Sequence, residues 1–240
     1  MITVLLYWFV FEFGLHQKVN DLRTGIEVPF VLWLMGGLVP WFYFQEALNG
    51  GTGVLDEYSY LVKKVVFQID ALPVVKLISA LFTHAFFVVF MLVVFAVMGF
   101  YPDLYVLQIV YYSFCMVILT AGLIYATSAV TVFFRDMKEV VAILLQIGMW
   151  VTPIMWNFES MQGIPKWAVV LLKLNPMYYI VSGYRDALIN KTAFWEHPGL
   201  TLWFWESRCL HFGRERPYLS VCVYISQMCC RSIARMKTVE

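Results

Sequence analysis

The chain has 240 residues, of which 61% are hydrophobic, 18% aromatic and 14% charged, and its formal net charge is +1. Soluble domains hold roughly 45–50% apolar residues, so this composition excludes an ordinary water-soluble protein. The near-neutral charge offers no basic surface for nucleic acid, which we therefore exclude as a partner.

The first apolar run, Met1–Leu15, lacks the basic start and the small-residue cleavage site of a removable signal peptide. At about 1.5 Å per residue it reaches only about 22 Å as a helix, less than the roughly 30 Å of a bilayer core. We predict a span that begins upstream of the run, or a segment that enters the membrane obliquely.

Three further runs are long enough to cross a bilayer, and a fourth is shorter but nearly free of charge and ends in Trp, which favours the membrane interface. The four runs are Val28–Leu48, Val74–Phe100, Tyr105–Phe134 and Val140–Trp156. With the first run, the sequence predicts an all-α integral membrane protein with five hydrophobic spans.

The connection 49–73 combines a glycine cluster with an amphipathic segment. Gly50-Gly51-Thr52-Gly53 lacks the lysine of a phosphate-binding loop and is interpreted as a flexible joint. The segment Val54–Phe67 places apolar residues on one helical face, with acidic residues near its start and basic residues near its end. It fits either a helix lying on lipid headgroups or a docking element for a soluble partner. The candidate docking residues are Val54, Tyr58, Leu61, Val62, Lys63 and Lys64.

His84 lies about ten residues into its predicted span, near the bilayer centre. A neutral imidazole hydrogen-bonded between helices or lining a cavity explains it better than a proton relay, which needs more ionisable groups at that depth. The dense aromatic residues fit interfacial belts or flat faces on which sugar rings slide, and spacing does not choose between these. The candidate channel residues are Tyr7, Trp8, Phe11, His84, Trp150 and Trp156.

Between residues 164 and 189, two apolar helices, Ile164–Leu174 and Met177–Ile189, are separated by Asn175-Pro176 and are each too short to cross. They are predicted as interfacial or re-entrant segments. Arg185 is expected at the membrane surface, where it either pairs with Asp186 or meets an anionic ligand.

Residues 206–240 form an arginine-rich and cysteine-rich tail with no apolar run long enough to span. This tail is predicted to be unstructured or loosely attached, and its four cysteines are predicted to bind no metal, since no zinc spacing or disulfide framework is evident. No HExxH, GxSxG or acidic metal cluster occurs, so we expect no catalytic residues, no enzyme activity and no cofactor on this chain.

The ordered motifs Phe133-Phe134-Arg135-Asp136-Met137-Lys138-Glu139, Trp150-Val151-Thr152-Pro153-Ile154-Met155-Trp156 and Leu174-Asn175-Pro176-Met177 resemble the permease subunit of type-2 ABC exporters. Leu38-Val39-Pro40-Trp41-Phe42 and Tyr60-Leu61-Val62-Lys63-Lys64-Val65 match the same pattern. The resemblance covers Met1 to Trp205, which we take as the transmembrane permease domain. It is strongest to the polysaccharide and polyol-phosphate exporters, the O-antigen, capsule and teichoic-acid group.

The resemblance implies a multi-pass protein of the bacterial cytoplasmic membrane with six spans per subunit. Its implied partners are a second permease copy, two ATP-binding cassette subunits that hold ATP and Mg, membrane lipid, and a glycan on an undecaprenyl-diphosphate carrier. The resemblance also implies that Val54–Phe67 is the cytoplasmic coupling helix and that residues 164–189 form gate helices at the outer face. The candidate gate residues are Tyr178, Tyr184 and Arg185. Arg185 is also the candidate contact for the carrier diphosphate.

Two departures from the family pattern are expected. No amphipathic interface helix precedes the first span, and the sixth span, due near Leu200–Trp205, gives way to the tail. A frameshift or truncated reading frame is the simplest account. The rival functions are a polytopic membrane enzyme of glycan or lipid assembly, supported thinly by Glu12 and His84, and an ion-coupled transporter, which usually carries an internal repeat.

Overall fold

The computed structural model describes residue 9 and residues 19–20, 27–58, 71–131, 133–156 and 165–207. Most of these residues are helical, which confirms the predicted helical character. Two strands of two residues each, β1 (Val19–Asn20) and β2 (Glu27–Val28), precede the first long helix and pair antiparallel. The sequence pattern did not predict these strands.

Helices follow four of the five predicted spans. In chain order, the first five helices are α1 (Phe30–Thr52), α2 (Val54–Glu57), α3 (Ala71–Val97), α4 (Gln108–Thr131) and α5 (Met137–Val151). A 3-10 turn, Leu104–Leu107, leads into α4. Helix α3 ends at Val97, three residues before the end of the predicted run Val74–Phe100. Gly99 adopts a φ of +88°, which is not helical, so the helix cannot continue through it.

Two of these helices are long and apolar enough to cross a membrane by length and composition, Ala71–Val97 and Leu104–Thr131. Only 22% and 44% of their most apolar windows are buried within the chain. Helix α5 has 15 residues and reaches about 22 Å, less than a bilayer core. The predicted number of five spans is therefore not confirmed, and the run Met1–Leu15 lies outside the described residues except for Phe9.

The long helices alternate in direction, so that one end of the bundle holds the glycine joint and the other holds Arg185. At the joint end, Thr131 Oγ1 of α4 donates to the Thr52 carbonyl of α1 at 3.0 Å. At the opposite end, Gln108 Nε2 at the start of α4 donates to the Thr192 carbonyl at 3.1 Å. Helix α1 lies at the centre, with 17 of its 23 residues buried.

The two predicted short helices are present as α6 (Lys166–Leu174) and α7 (Pro176–Arg185), and a π-helical turn, Asp186–Asn190, extends α7. Asn175 caps α7, since its side chain accepts from the Met177 amide at 3.0 Å, and Pro176 occupies the first turn. Eight of the ten α7 residues are buried. Helix α7 is thus packed in the interior of the chain.

An eighth helix, α8, covers residues 198–207. Phe204 is fully buried and stacks on Tyr179 at 5.0 Å between ring centroids, and Trp205 Nε1 donates to Tyr111 Oη at 3.0 Å. Helix α8 continues past Trp205 to Ser207 and includes the exposed Glu206. The boundary between permease domain and tail at Trp205 stays a prediction. Residues 208–240 lie outside the described residues, and the tail remains a prediction.

A buried arginine and the two ends of the bundle as the candidate functional site

The candidate coupling segment begins inside the bundle. Val54 is fully buried, so it packs within the chain and does not contribute to an exposed docking face. Tyr58 is half-buried beneath Lys76, whose Nζ lies 5.5 Å from the ring centroid and 3.1 Å from Glu57 Oε2. These contacts tie the segment to the start of α3. Leu61, Val62, Lys63 and Lys64 lie outside the described residues.

Gly53, between α1 and α2, is in contact with the start of α5. A Cβ at Gly53 would overlap the end of the Lys138 side chain, which would have to move to make room for it. Gly51 has a similar role one turn earlier, where a Cβ would come within 2.5 Å of Ile124. The glycine cluster therefore lets neighbouring helices approach closely. Gly50, Gly51 and Thr52 form the last turn of α1, so within the cluster only Gly53 lies between helices, and the predicted flexibility stays a prediction.

Three threonines join α1 to α4 beside the glycine joint. Thr52 and Thr127 share a hydroxyl hydrogen bond of 2.9 Å, and Thr131 bonds the Thr52 carbonyl. The Thr131–Thr52 bond is buried and the Thr52–Thr127 bond is part-buried, so water competes little with them. Sequence reasoning missed these residues, because Thr is common in membrane helices and its spacing alone does not identify a partner.

His84 lies in a closed network at the middle of the bundle. Its Nε2 is 2.9 Å from Tyr184 Oη, and Ser113 Oγ is 2.6 Å from the same hydroxyl. His84 is 3% exposed and Tyr184 is fully buried, so the network joins α3, α4 and α7 in the interior. In this arrangement neither side chain is open to a channel, and the contacts are those of interhelical hydrogen bonding.

Arg185 is buried, with 8% of its surface exposed. Its Nη1 and Nη2 donate to the carbonyl oxygens of Pro153 and Ile154 at 2.8 and 2.7 Å. Its Nε donates to the Trp33 carbonyl at 3.4 Å, and its Cζ lies 3.4 Å from the centroid of the Trp33 ring. The expected surface position is therefore wrong, and the guanidinium points into the bundle.

The chemistry of these partners explains how a cation is stabilised there. Pro153 and Ile154 follow the last residue of α5, so their carbonyls have no acceptor role within that helix, and the helix dipole is negative at this end. The planar fork of Arg matches two adjacent carbonyls, and its face stacks on an indole. One side chain thus satisfies groups from α1 and from the end of α5.

Two glycines in α1 make room for the guanidinium. A Cβ at Gly37 would come within 2.8 Å of Arg185 Nη2, and one at Gly36 within 3.4 Å of Arg185 Cγ. Neither glycine was a predicted site residue. The pair Gly36-Gly37 inside an apolar run was the available signal, since small residues mark close approach between membrane helices.

The remaining aromatic candidates differ in position. Tyr178 is buried beside the arginine, whereas Trp150 is 59% exposed on α5. Trp156 is half-buried, and its Nε1 donates to the Trp150 carbonyl at 3.0 Å. Tyr7, Trp8 and Phe11 lie outside the described residues. The structure therefore does not bring the predicted channel residues together into one surface within the described part of the chain.

An apolar cavity of about 300 Å³ lies along α5. Trp41 of α1, Leu119 of α4 and Met177 of α7 line one side, and Leu144 and Gly148 of α5 line the other. The buried residues of α5, Val141 and Leu145, lie at its middle, and a Cβ at Gly148 would come within 3.1 Å of Trp41. Helix α5 therefore packs on the bundle along one side, with the cavity beside this contact.

Comparison with known proteins gives a consistent result over most of the chain. The O-antigen export system permease protein RfbA of Myxococcus xanthus is 25% identical over 194 residues, covering 81% of this chain and 69% of that protein. The protein of the same name from Klebsiella pneumoniae is 23% identical over 202 residues, covering 82% and 72%. The polysialic acid transport protein KpsM of Escherichia coli is 27% identical over 168 residues, covering 70% and 64%.

The family described as ABC-2 type transporter matches residues 1–189. This match covers well over half of the 240 residues and includes the glycine joint, α5 and the buried arginine. It confirms the resemblance drawn from the ordered motifs. The chain belongs to the ABC-2 type transporter family.

Proposed function

We propose that this chain is the membrane permease subunit of an ATP-driven exporter that moves lipid-linked polysaccharide across the bacterial cytoplasmic membrane. The observation that carries the proposal is the family match together with relatives named for O-antigen export and polysialic acid transport. The apolar surface of α3 and α4 supports a membrane location. The family assignment favours transport over the rival reading of a membrane enzyme.

The finer parts of the proposal come from the family resemblance. Two copies of the permease form the channel, and two ATP-binding cassette subunits supply the energy from the cytoplasmic side, so ATP and Mg bind to those partners. The segment from Val54 onward is the coupling helix, and α6 with α7 forms the outer-face gate. The cargo is a glycan on undecaprenyl diphosphate, of O-antigen, capsule or teichoic-acid type.

Deletion of the gene in its native host tests this function. We expect surface polysaccharide to be lost and lipid-linked glycan to accumulate inside the cell, since synthesis continues while export stops. Re-expression of the wild-type chain should restore the surface polymer, and affinity purification of that chain from membranes should recover an ATP-binding cassette protein. Unchanged surface polysaccharide in the deletion strain would contradict the proposal.

A membrane enzyme would give a different result in the same strain. Loss of an assembly step leaves a shortened or missing lipid-linked glycan, whereas loss of export leaves a full-length glycan on the inner side. Mass analysis of the lipid-linked pool therefore separates the two functions.

A further inference from the structure

We infer that a pocket at the Arg185 end of the bundle binds one acyl chain of a bilayer phospholipid. The pocket has a volume of about 470 Å³ and lies between the start of α4 and the turn Phe194–Glu196 that precedes α8. Residues 105–111 contribute one wall, and Phe194 with Trp195 contributes the other. The inference depends on the membrane location of the chain and not on its cargo.

The two walls of the pocket are fixed to each other. The Gln108 side chain joins them, since its Nε2 donates to the Thr192 carbonyl at 3.1 Å and its Oε1 accepts from the Phe194 amide at 2.8 Å. The ring of Tyr111 stacks on the ring of Phe194, with 4.9 Å between their centroids. The pocket is therefore preformed, as sites for small ligands usually are, and its volume falls within their usual range.

The side chains of the walls offer few hydrogen bonds to a ligand. The Gln108 amide is bonded within the chain through both its nitrogen and its oxygen, and the Tyr111 hydroxyl accepts from Trp205 Nε1 at 3.0 Å. The other polar groups of the lining side chains are the Tyr105 hydroxyl and the Trp195 indole N–H. A sugar ring would lose water partners from several hydroxyls in such a site, which is costly. The lining therefore favours a hydrocarbon chain.

The pocket is continuous with the lipid-facing surface of α4. Leu107, Val110 and Phe114 share one helical face and are 75%, 68% and 58% exposed. They belong to the segment Leu104–Thr131, which is long and apolar enough to cross a membrane. Because Leu107 lies both on this face and in the pocket wall, an acyl chain that covers the face can enter the pocket without crossing water.

The aromatic residues of the walls suit the depth at which an acyl chain meets its head group. Tyr and Trp are concentrated where the hydrocarbon core ends, since their rings are apolar and their N–H or O–H is polar. Tyr105 lies near the start of the span, and Trp195 is 68% exposed. Phospholipid is the most abundant lipid around the chain, so it occupies such a site by mass action.

Photolabelling with a phospholipid tests the site in the full chain. The protein is reconstituted in vesicles of phosphatidylethanolamine and phosphatidylglycerol, with some phosphatidylethanolamine carrying a diazirine on its acyl chain. Irradiation in the vesicles should label both pocket walls and also exposed residues of α3 such as Phe82, because all of them contact lipid. When the vesicles are dissolved in mild detergent before irradiation, the label should persist at the walls and disappear from α3. Equal loss from both places would overturn the site.

Two pairs of variants locate the retained lipid. Leu107→Trp fills the pocket, whereas Val110→Trp changes the same lipid-facing surface outside it. Trp195→Ala removes part of a wall, whereas Trp167→Ala removes a similarly exposed tryptophan from α6. Label retained in detergent, measured at the wall that the variant leaves unchanged, should fall by about fivefold or more in the two pocket variants.

The two controls should retain label near the wild-type amount. Labelling of α3 in vesicles shows that each variant is inserted, and either pair decides the question if the other pocket variant does not insert. Equal retention by the two members of an inserted pair would overturn the site.

Competition separates phospholipid from the other occupants. Excess unlabelled phosphatidylethanolamine should displace the retained label, and undecaprenyl phosphate at the same concentration should displace it no better. Stronger displacement by undecaprenyl phosphate would assign the pocket to a polyprenyl carrier and overturn the inference. Walls that are protected from label already in the vesicles would assign the pocket to a protein partner, with the same consequence.

Discussion

At the scale of single residues, α7 lies close to α4 because Gly183 has no side chain. A Cβ at this position would overlap the ring of Tyr112, which is itself buried. Overpacking of a buried site costs typically about 1–3 kcal/mol. The close contact is therefore a requirement of the fold at this point.

Gly183→Ala should lower the melting temperature of the detergent-purified protein, measured by tryptophan fluorescence. The overpacking cost of about 1–3 kcal/mol is offset in part by the roughly 1 kcal/mol that alanine gains in helix propensity, so the expected net loss in unfolding free energy is up to about 2 kcal/mol. Gly199→Ala on α8 is the control, since a Cβ there meets nothing within 4 Å. Equal melting temperatures for the two variants would contradict the steric argument.

The Tyr184 hydroxyl has two partners in the central network. Tyr184→Phe removes the hydrogen bonds to His84 and Ser113 and leaves the ring in place. We expect a loss of about 0.5–2 kcal/mol in stability, in the range of interhelical hydrogen bonds in membranes. Thermal unfolding in detergent measures the change, and Tyr101→Phe, at a residue that is 73% exposed, is the control.

The same network allows a test of shared contacts. Ser113→Ala should cost less in the Tyr184→Phe background than in the wild type, because its hydroxyl partner is already gone. Equal costs in the two backgrounds would show that the 2.6 Å contact does not contribute to stability.

At the scale of elements, the coupling segment starts from a fixed point. Val54 is buried, and Glu57 pairs with Lys76 of α3, so the start of the segment is attached to the bundle. The docking role of Val54–Phe67 stays a prediction, and its apolar candidates Leu61 and Val62 lie outside the described residues.

Leu61→Asp should uncouple ATP hydrolysis from export while the permease remains inserted, since a charge on the apolar face weakens helix-in-groove docking. The measurements are export and ATPase rate of the reconstituted complex. Leu104→Asp, at a leucine that is 93% exposed at the opposite end of the bundle, is the matched control. Wild-type export by the Leu61 variant would show that this face does not dock a partner.

At the scale of the whole molecule, the bilayer acts as the solvent for the outer surface. Helix α3 buries 22% of its most apolar window and exposes residues such as Phe82, Phe86 and Val89. Such a continuous apolar face is unstable in water and requires lipid or another membrane subunit around it.

Charge scanning along α3 measures this environment by depth. Phe82→Arg places a charge near the middle of the helix and should cost about 2.5–3.5 kcal/mol in insertion free energy. Val97→Arg places the same charge at the helix end, where the side chain reaches the interface, and should cost much less. Phe82 and Val97 are 76% and 81% exposed, so neither substitution removes much packing within the chain and the two variants differ mainly in the depth of the charge. A reporter assay of helix insertion that gives equal costs would contradict a spanning α3.

The sequence alone determined the membrane class, the positions of the apolar helices and the family. Run length and charge are one-dimensional properties, and the cost of burying an unpaired backbone group in lipid makes long apolar runs helical. The motifs before α5, at its end and at Asn175-Pro176 were sufficient for the resemblance, because their order along the chain is itself specific.

Only the tertiary structure decided the role of Arg185 and the direction of its side chain. An arginine that follows an apolar helical segment is normally solvated. The burial of Arg185 depends on the space left by Gly36 and Gly37 and on the carbonyls of Pro153 and Ile154, which are more than 30 residues away along the chain. The same holds for Lys138 over Gly53 and for the Thr52–Thr127 bond. These contacts join residues that are distant in sequence, so local pattern contains no information about them, and packing alone brings them together.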